Sequence, residues 1–71
     1  MRMRAVLAFN LKRLRQSKGF SQEELAHRAE IDRSYLSDLE RELYAASLDI
    51  IDKLALALEI DPSELVAKPH G

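Results

Sequence analysis

The chain has 71 residues, no cysteine and a net charge of −1. A chain of this length forms one domain, residues 1–71, and buries only about 60% of the surface that its unfolded form exposes, so dimerisation would help a small core. The lack of cysteine excludes a disulfide framework and a thiolate metal site, and the two histidines have no helical pairing that would favour zinc. Residues 1–30 contain neither an apolar run of the roughly 20 residues that a membrane span needs nor a signal-peptide pattern. We therefore expect a soluble cytoplasmic protein that uses no metal, cofactor or membrane.

The charge is distributed unevenly along the chain. Residues 1–18 carry six cationic side chains and no acid, whereas residues 19–41 have a net charge of −3 and residues 42–71 a net charge of −4. A basic segment is consistent with a phosphate-facing patch, but an ordinary solvated surface explains the charge equally well. The motifs must decide between the two.

Two helices are predicted in the first half of the chain. Leu7, Leu11 and Leu14 recur at helical spacing, so an amphipathic helix should cover about 5–17 and end before Gly19. Ser21 and Glu24 form a capping box, which predicts a second helix from Gln22 to about residue 29.

Three further helices are predicted after it. Asp32 can cap a third helix through its carboxylate, and this helix should start at Arg33. Ser47 can cap a fourth, which stops near residue 59 and whose apolar positions are Leu48, Ile51, Leu54, Ala55 and Leu58. The segment Asp61-Pro62-Ser63-Glu64 is another capping box and predicts a short fifth helix. No segment alternates with the period of a strand, so we predict an all-α fold, a compact five-helix bundle.

The second and third helices, within about 21–41, are joined by a turn of about three residues, which is the layout of a helix-turn-helix. At about 100° per residue, the inward face of the third helix holds Leu36, Leu39 and Glu40, and the outward face is small and polar. This outward face predicts base reading in the DNA major groove by Arg33, Ser34, Ser37 and Asp38. Tyr35 flanks the face and could pack, contact a base or bond a phosphate; we favour contact.

Three residues are candidates for contacts with the DNA backbone. Gln22 would offer its amide and the free N–H groups of the second helix to a phosphate, although it could also be an ordinary exposed glutamine. Arg41 and Arg13 are cationic and lie near the predicted interface, and each true phosphate contact steepens the salt dependence of binding.

The chain resembles the Cro and phage-repressor type of helix-turn-helix protein, with a lambda-repressor-like DNA-binding fold. The resemblance lies in Leu14-Arg15, Phe20-Ser21-Gln22-Glu23-Glu24-Leu25-Ala26, Tyr35-Leu36-Ser37, Leu39-Glu40-Arg41, Ser47-Leu48 and Leu54-Ala55-x-Ala57-Leu58. It implies a structural ion pair between Arg15 and Glu40, the base-reading and backbone roles above, and a homodimer on double-stranded DNA with half-sites roughly 34 Å apart. Residues 32–41 look especially like the controller proteins of restriction-modification systems.

Two positions depart from the family pattern. Glu42 and Ala46 stand where the family usually has Gly and Pro, so we expect the third helix to run on by a turn. Leu43 or Tyr44 would then pack in the core or in a dimer interface. Leu65 and Val66 have the same two alternatives, core closure or a dimer interface.

Two functions remain to be separated. The first is a homodimeric transcription regulator that reads a palindromic operator. The second is an antitoxin or another protein-interaction module on the same fold, which the acidic last third of the chain favours. We expect no enzymatic activity, because the sequence offers no arrangement of nucleophile, base or metal ligands.

Overall fold

The computed structural model describes residues 2–69, which form five helices: α1 (Met3–Ser17), α2 (Gln22–Ala29), α3 (Arg33–Glu40), α4 (Leu48–Leu58) and α5 (Ser63–Val66). The described residues contain no strand, and the all-α prediction is confirmed. The α1 helix begins two residues earlier than predicted. None of these helices has both the length and the apolar character needed to cross a bilayer.

Three of the four predicted N-terminal caps are present. The Ser21 hydroxyl accepts a hydrogen bond from the Glu24 N–H at 3.0 Å, and the Ser47 hydroxyl accepts one from the Ile50 N–H at 3.2 Å. Before α5, the Asp61 carboxylate accepts a hydrogen bond from the Ser63 N–H at 2.9 Å, and the Glu64 carboxylate accepts one from the Asp61 N–H at 3.3 Å. Asp32 occupies the cap position of α3, but its carboxylate makes no bond to the helix backbone, so that prediction was wrong. The carboxylate instead accepts a short, charge-assisted hydrogen bond of 2.8 Å from the Ser34 hydroxyl.

The first four helices all end in a residue with left-handed backbone geometry. Gly19 has a φ of 76°, and three glutamates, Glu30, Glu42 and Glu59, have φ values of 58°, 64° and 58°. At the end of α3, the Glu42 N–H donates to the Leu39 carbonyl at 3.2 Å and the Leu43 N–H to the Asp38 carbonyl at 2.9 Å. These two bonds form a Schellman motif. The predicted extra turn of α3 is therefore absent, because its last carbonyls are already satisfied.

The core is built mainly from leucines of all five helices. Seven leucine side chains are almost completely buried, and these are Leu11, Leu25, Leu36, Leu39, Leu54, Leu58 and Leu65. The α1 helix packs against α3 and α5, and α2 packs against α3 and α4. Leu48, the first of the apolar positions predicted for α4, is 81% exposed, and Ile50 packs against the core two residues later.

Candidate nucleic-acid interface

The turn between α2 and α3 is short, and both a backbone hydrogen bond and a core contact hold it in place. The Ile31 N–H donates to the Ala26 carbonyl at 3.0 Å, and its side chain packs against the core. Because Glu30 takes the left-handed conformation that ends α2, the chain reverses within three residues and α3 starts at Arg33. The backbone of α3 is thus held against α1 and α2.

The two faces of α3 are oriented as its periodicity predicts. Leu36, Leu39 and Glu40 are buried, whereas the opposite face is polar and open to solvent to different degrees. Arg33, Ser34 and Arg41 are exposed, and Ser37 and Asp38 are half-buried. An Arg41 guanidinium nitrogen, Nη1, lies 3.9 Å from Asp38 Oδ1, so this acid has a cation beside it. The structure brings all the predicted base-reading side chains except Tyr35 onto this one face.

Tyr35 is half-buried and packs against the core. Its ring centroid lies 6.3 Å from that of Tyr44, with the two planes tilted by 35°. Of the three alternatives for Tyr35, the structure contains the packing one. The pair holds the segment after α3 beside this helix, while the ring of Tyr44 stays about half exposed.

The structure contains the Arg15–Glu40 ion pair. Arg15 Nε lies 2.7 Å from Glu40 Oε2 and Nη2 lies 3.0 Å from Oε1, so the contact is bidentate. The remaining terminal nitrogen, Nη1, donates to the Phe20 carbonyl at 2.9 Å. The side chain of Arg15 is 11% exposed and that of Glu40 only 2% exposed. The pair therefore joins α1, the segment that leads into α2, and the end of α3.

Gln22 belongs to the same network, which its sequence position did not indicate. Its Nε2 donates to Glu40 Oε1 at 3.1 Å, so one of its amide hydrogens is used within the protein. Gln22 is half-buried at the first position of α2. The first residue of α2 and the last residue of α3 are thereby held together. This hydrogen bond fixes the orientation of the Gln22 amide.

The structure places Arg13 on the exposed face of α1, in a shallow groove whose lining includes Phe9, Glu40 and Glu42. One guanidinium nitrogen of Arg13, Nη2, lies 3.5 Å from Asn10 Oδ1. Arg13 is thus near the end of α3, although it is not among the side chains of the reading face.

The three residues predicted for a dimer interface differ in how deeply they are buried. Leu65 is completely buried and closes the core, the first of its two alternatives. Val66 is half-buried and lines a shallow apolar groove with Met3, Ala45 and Ile51. Tyr44 lies against Tyr35 rather than in the core.

Asn10, which sequence reasoning missed, holds α5 in place. It is 1% exposed, and its Nδ2 donates to the carbonyls of Leu65 at 3.0 Å and of Ala67 at 2.8 Å. A polar residue on the apolar face of α1, between Leu7 and Leu11, was the available signal. A buried amide at such a position needs partners, and the last carbonyls of a short helix supply them.

Comparisons with known proteins agree with this geometry. A family model described as helix-turn-helix matches residues 11–65. A hypothetical transcription factor from Neisseria meningitidis is 43% identical over 68 residues, which cover 96% of this chain and 64% of that protein. The chain thus spans less than two thirds of that relative's length. Control protein C.BamHI from Bacillus amyloliquefaciens is 37% identical, over 90% of this chain and 80% of that protein.

A solved structure is similar in both sequence and shape. The restriction-modification controller protein C.AhdI from Aeromonas hydrophila is 45% identical and superimposes with a TM-score of 0.85, covering 87% of this chain and 94% of that chain. The matched family model includes α2, α3 and the turn between them, which together carry the candidate interface. The chain belongs to the helix-turn-helix family.

Proposed function

We propose that this protein is a sequence-specific DNA-binding transcriptional regulator that acts by binding rather than by catalysis. One observation carries the proposal: α3 presents a polar outward face, with Arg33 and Ser34 exposed in its first turn, on a backbone fixed by the Arg15–Glu40–Gln22 network. A recognition helix reads base edges with its N-terminal residues, and an interface gains affinity when its groups are held in place before binding. The similarity to controller proteins supports the same function for this chain.

In this proposal the side chains divide into two groups. Arg33, Ser34, Ser37 and Asp38 read bases, with Tyr35 at the edge of this group. Gln22, Arg41 and Arg13 contact phosphates. An exposed arginine in the first turn can donate two hydrogen bonds to a guanine edge, a contact worth about 1–3 kcal/mol of discrimination.

Binding is tested by fluorescence anisotropy with a DNA fragment from upstream of the protein's own gene and with scrambled DNA, at several salt concentrations. Arg33→Ala should weaken binding to the upstream fragment about tenfold or more and bring it close to the affinity for scrambled DNA. Lys53→Ala is the matched control, because it removes the same charge from an exposed position on α4. Equal affinity of the unsubstituted protein for both fragments would overturn the proposal.

We further propose that two copies bind a palindromic operator as a homodimer, as a restriction-modification controller would. The groove lined by Met3, Ala45, Ile51 and Val66 supports this, because it is an apolar surface next to the last helix. Tyr44, which is half exposed, adds an aromatic side chain to the candidates for the interface.

The dimer is tested by sedimentation of two variants that carry the same type of change. Met3→Glu places a charge in the groove at an exposed residue and should shift the protein to monomer. Leu56→Glu adds the same charge at an apolar residue that is even more exposed and lies outside this groove, so it should leave the dimer intact. A monomeric unsubstituted protein, or equal effects of both changes, would contradict this interface.

A second candidate function is a protein-interaction module, such as an antitoxin. The observation that favours it is the segment after α3, where Leu43 and Tyr44 are about half exposed beside Glu42. Retention of a small toxic protein in a pull-down, combined with equal affinity for operator and scrambled DNA, would favour this function over operator binding.

A further inference from the structure

The hydroxyl proton of Ser34 has a defined partner. Ser34 Oγ donates to Asp32 Oδ2 at 2.8 Å, a charge-assisted hydrogen bond. A serine hydroxyl has one hydrogen to donate and two lone pairs that accept. With its hydrogen directed to Asp32, Ser34 presents only acceptor capacity to anything that approaches α3.

The Asp32 carboxylate is free for this role because it does not cap the helix. Asp32 occupies the cap position of α3, but its carboxylate accepts no hydrogen bond from a helix N–H group. The carboxylate accepts a hydrogen bond from the Ser34 hydroxyl instead. The guanidinium groups of Arg33, which lies between Asp32 and Ser34, and of Arg41, at the end of α3, supply donors on the same face. Ser34 is thus fixed as an acceptor between two cationic donors, Arg33 and Arg41, before DNA binds.

We propose that Asp32 is a specificity-determining residue that acts through Ser34, fixing this serine as a hydrogen-bond acceptor. In the major groove, adenine and cytosine present amino groups that donate, whereas guanine and thymine present keto oxygens that accept. The base opposite Ser34 is therefore adenine or cytosine, and never the keto base of the pair. Because every base pair has one amino base and one keto base, Ser34 specifies which strand carries the amino base. This inference rests on the proposed DNA-binding function.

The experiment is a selection of bound duplexes from a randomised library, performed on the full chain and on four variants. Asp32→Ala frees the Ser34 hydroxyl to rotate and donate, and Ser34→Ala removes the hydroxyl. Asp32→Asn keeps a neutral acceptor and is also a favourable cap residue, so it guards against loss of folding. Asp52→Ala is the control, because it removes an exposed carboxylate from α4. Circular dichroism establishes that each variant is helical.

The unsubstituted protein should select one position per half-site where amino bases exceed keto bases about tenfold, because a keto oxygen there would face an acceptor. At that position the amino-to-keto ratio should be highest for the unsubstituted protein, lower for Asp32→Asn and lowest for Asp32→Ala. It should approach one in Asp32→Ala and in Ser34→Ala. Asp32→Ala should also bind scrambled DNA more tightly, since it loses a negative charge near the phosphates. The Asp52→Ala control should keep the full ratio.

Two results would overturn the inference, and they are distinguishable. If the unsubstituted protein selects a defined site but no position changes its amino-to-keto ratio in both Asp32→Ala and Ser34→Ala, Asp32 does not set specificity and DNA binding stands. If the unsubstituted protein selects no site from the library, both the inference and the proposed function fail.

Discussion

Replacing Glu40 by glutamine should destabilise the fold strongly, although the two side chains have nearly the same shape. The carboxylate accepts three hydrogen bonds: one at Oε2 from Arg15 Nε, and two at Oε1 from Arg15 Nη2 and Gln22 Nε2. An amide offers one oxygen and one NH₂ group in their place. In the more favourable of its two orientations, the oxygen of the new amide takes the place of Oε1 and keeps both donors there. The NH₂ group then takes the place of Oε2 and faces another donor, Arg15 Nε.

The cost follows from the burial of the pair. The substitution removes one charge-assisted hydrogen bond and leaves a cation, only 11% exposed, against a neutral group. Hydrogen bonds to charged groups contribute about 1.5–3 kcal/mol, and an unsatisfied buried donor adds a similar penalty, so we expect Glu40→Gln to cost about 2–4 kcal/mol. For a domain of this size, each kcal/mol lowers Tm by about 4–8 °C, which gives a fall of about 10–30 °C.

Thermal unfolding followed by circular dichroism, at one protein concentration, measures this effect. Glu24→Gln is the matched control, because Glu24 pairs with Arg28 at 2.9 Å but the two side chains are 46% and 49% exposed. An exposed pair one helical turn apart contributes about 0.3–0.5 kcal/mol, so the control should lower Tm by no more than about 4 °C. Similar falls in Tm for the two variants would refute the argument that burial makes the Arg15–Glu40 pair important.

Three further predictions concern the helix ends. Glu42→Gly should raise the free energy of unfolding by about 0.5–1 kcal/mol, because a φ of 64° strains glutamate but not glycine; Glu42→Ala is the control in the same urea titration, and an equal rise would contradict this. Asn10→Ala should lower it by about 2–3 kcal/mol, because it removes both hydrogen bonds to the carbonyls at the end of α5; hydrogen exchange that is no faster in α5 than in α2 would argue against the role. The Ser63 N–H, aided by the Ser63 hydroxyl, holds the pKa of Asp61 below its ordinary value. This stabilisation is present above the ordinary value of about 3.9 and is lost as pH falls through the lower folded-state pKa. Asp61→Asn should remove this acid-induced loss, and an Asp61 carboxyl that titrates by NMR at its ordinary pKa would count against it.

The predictions from sequence succeeded where the signal is local. The hydroxyl of a capping serine accepts a hydrogen bond from a backbone N–H within one helical turn, so the starts of α2 and α4 follow from Ser21 and Ser47 alone. The two faces of α3 follow from helical geometry in the same way. These features depend on neighbours in the chain and not on how the helices pack.

The prediction that α3 runs on by a turn was wrong because it relied on the helix propensity of Glu42. Glutamate favours helix interiors, and glycine is the usual residue for a left-handed end. The better signal is the apolar residue that follows each left-handed position: Phe20, Ile31, Leu43 and Ile60. In a Schellman motif such a residue folds back onto the helix, and three of these four pack against the core. At Glu30 and Glu59 this apolar contact stabilises an ending that glutamate itself disfavours. Leu43 is 49% exposed, so the end of α3 depends on the two backbone hydrogen bonds of Glu42 and Leu43 instead.

The side-chain partners of the interface could not be predicted, because they depend on tertiary placement. Gln22 and Glu40 are 18 residues apart and meet only when α2 and α3 have packed. The family resemblance implied the Arg15–Glu40 pair, but nothing in the spacing of residues identified Gln22 as its third member. Asp32 is a different case, since its partner lies two residues away and competes with the helix backbone for the same carboxylate.

The acidic residues of α3 and its cap must be reconciled with the proposed DNA binding, since the chain has a net charge of −1. Each acid of α3 and its cap has a partner in the structure: Glu40 is bound by Arg15, Asp38 has Arg41 at 3.9 Å, and Asp32 holds the Ser34 hydroxyl. Glu40 is buried and does not face a phosphate, whereas Asp32 and Asp38 remain at the proposed interface and oppose phosphates there. They lower the affinity for any DNA, since non-specific binding depends on cations that neutralise phosphates. They lower it less for a site that offers amino groups to these acceptors, so acids at the reading face raise the ratio of specific to non-specific binding.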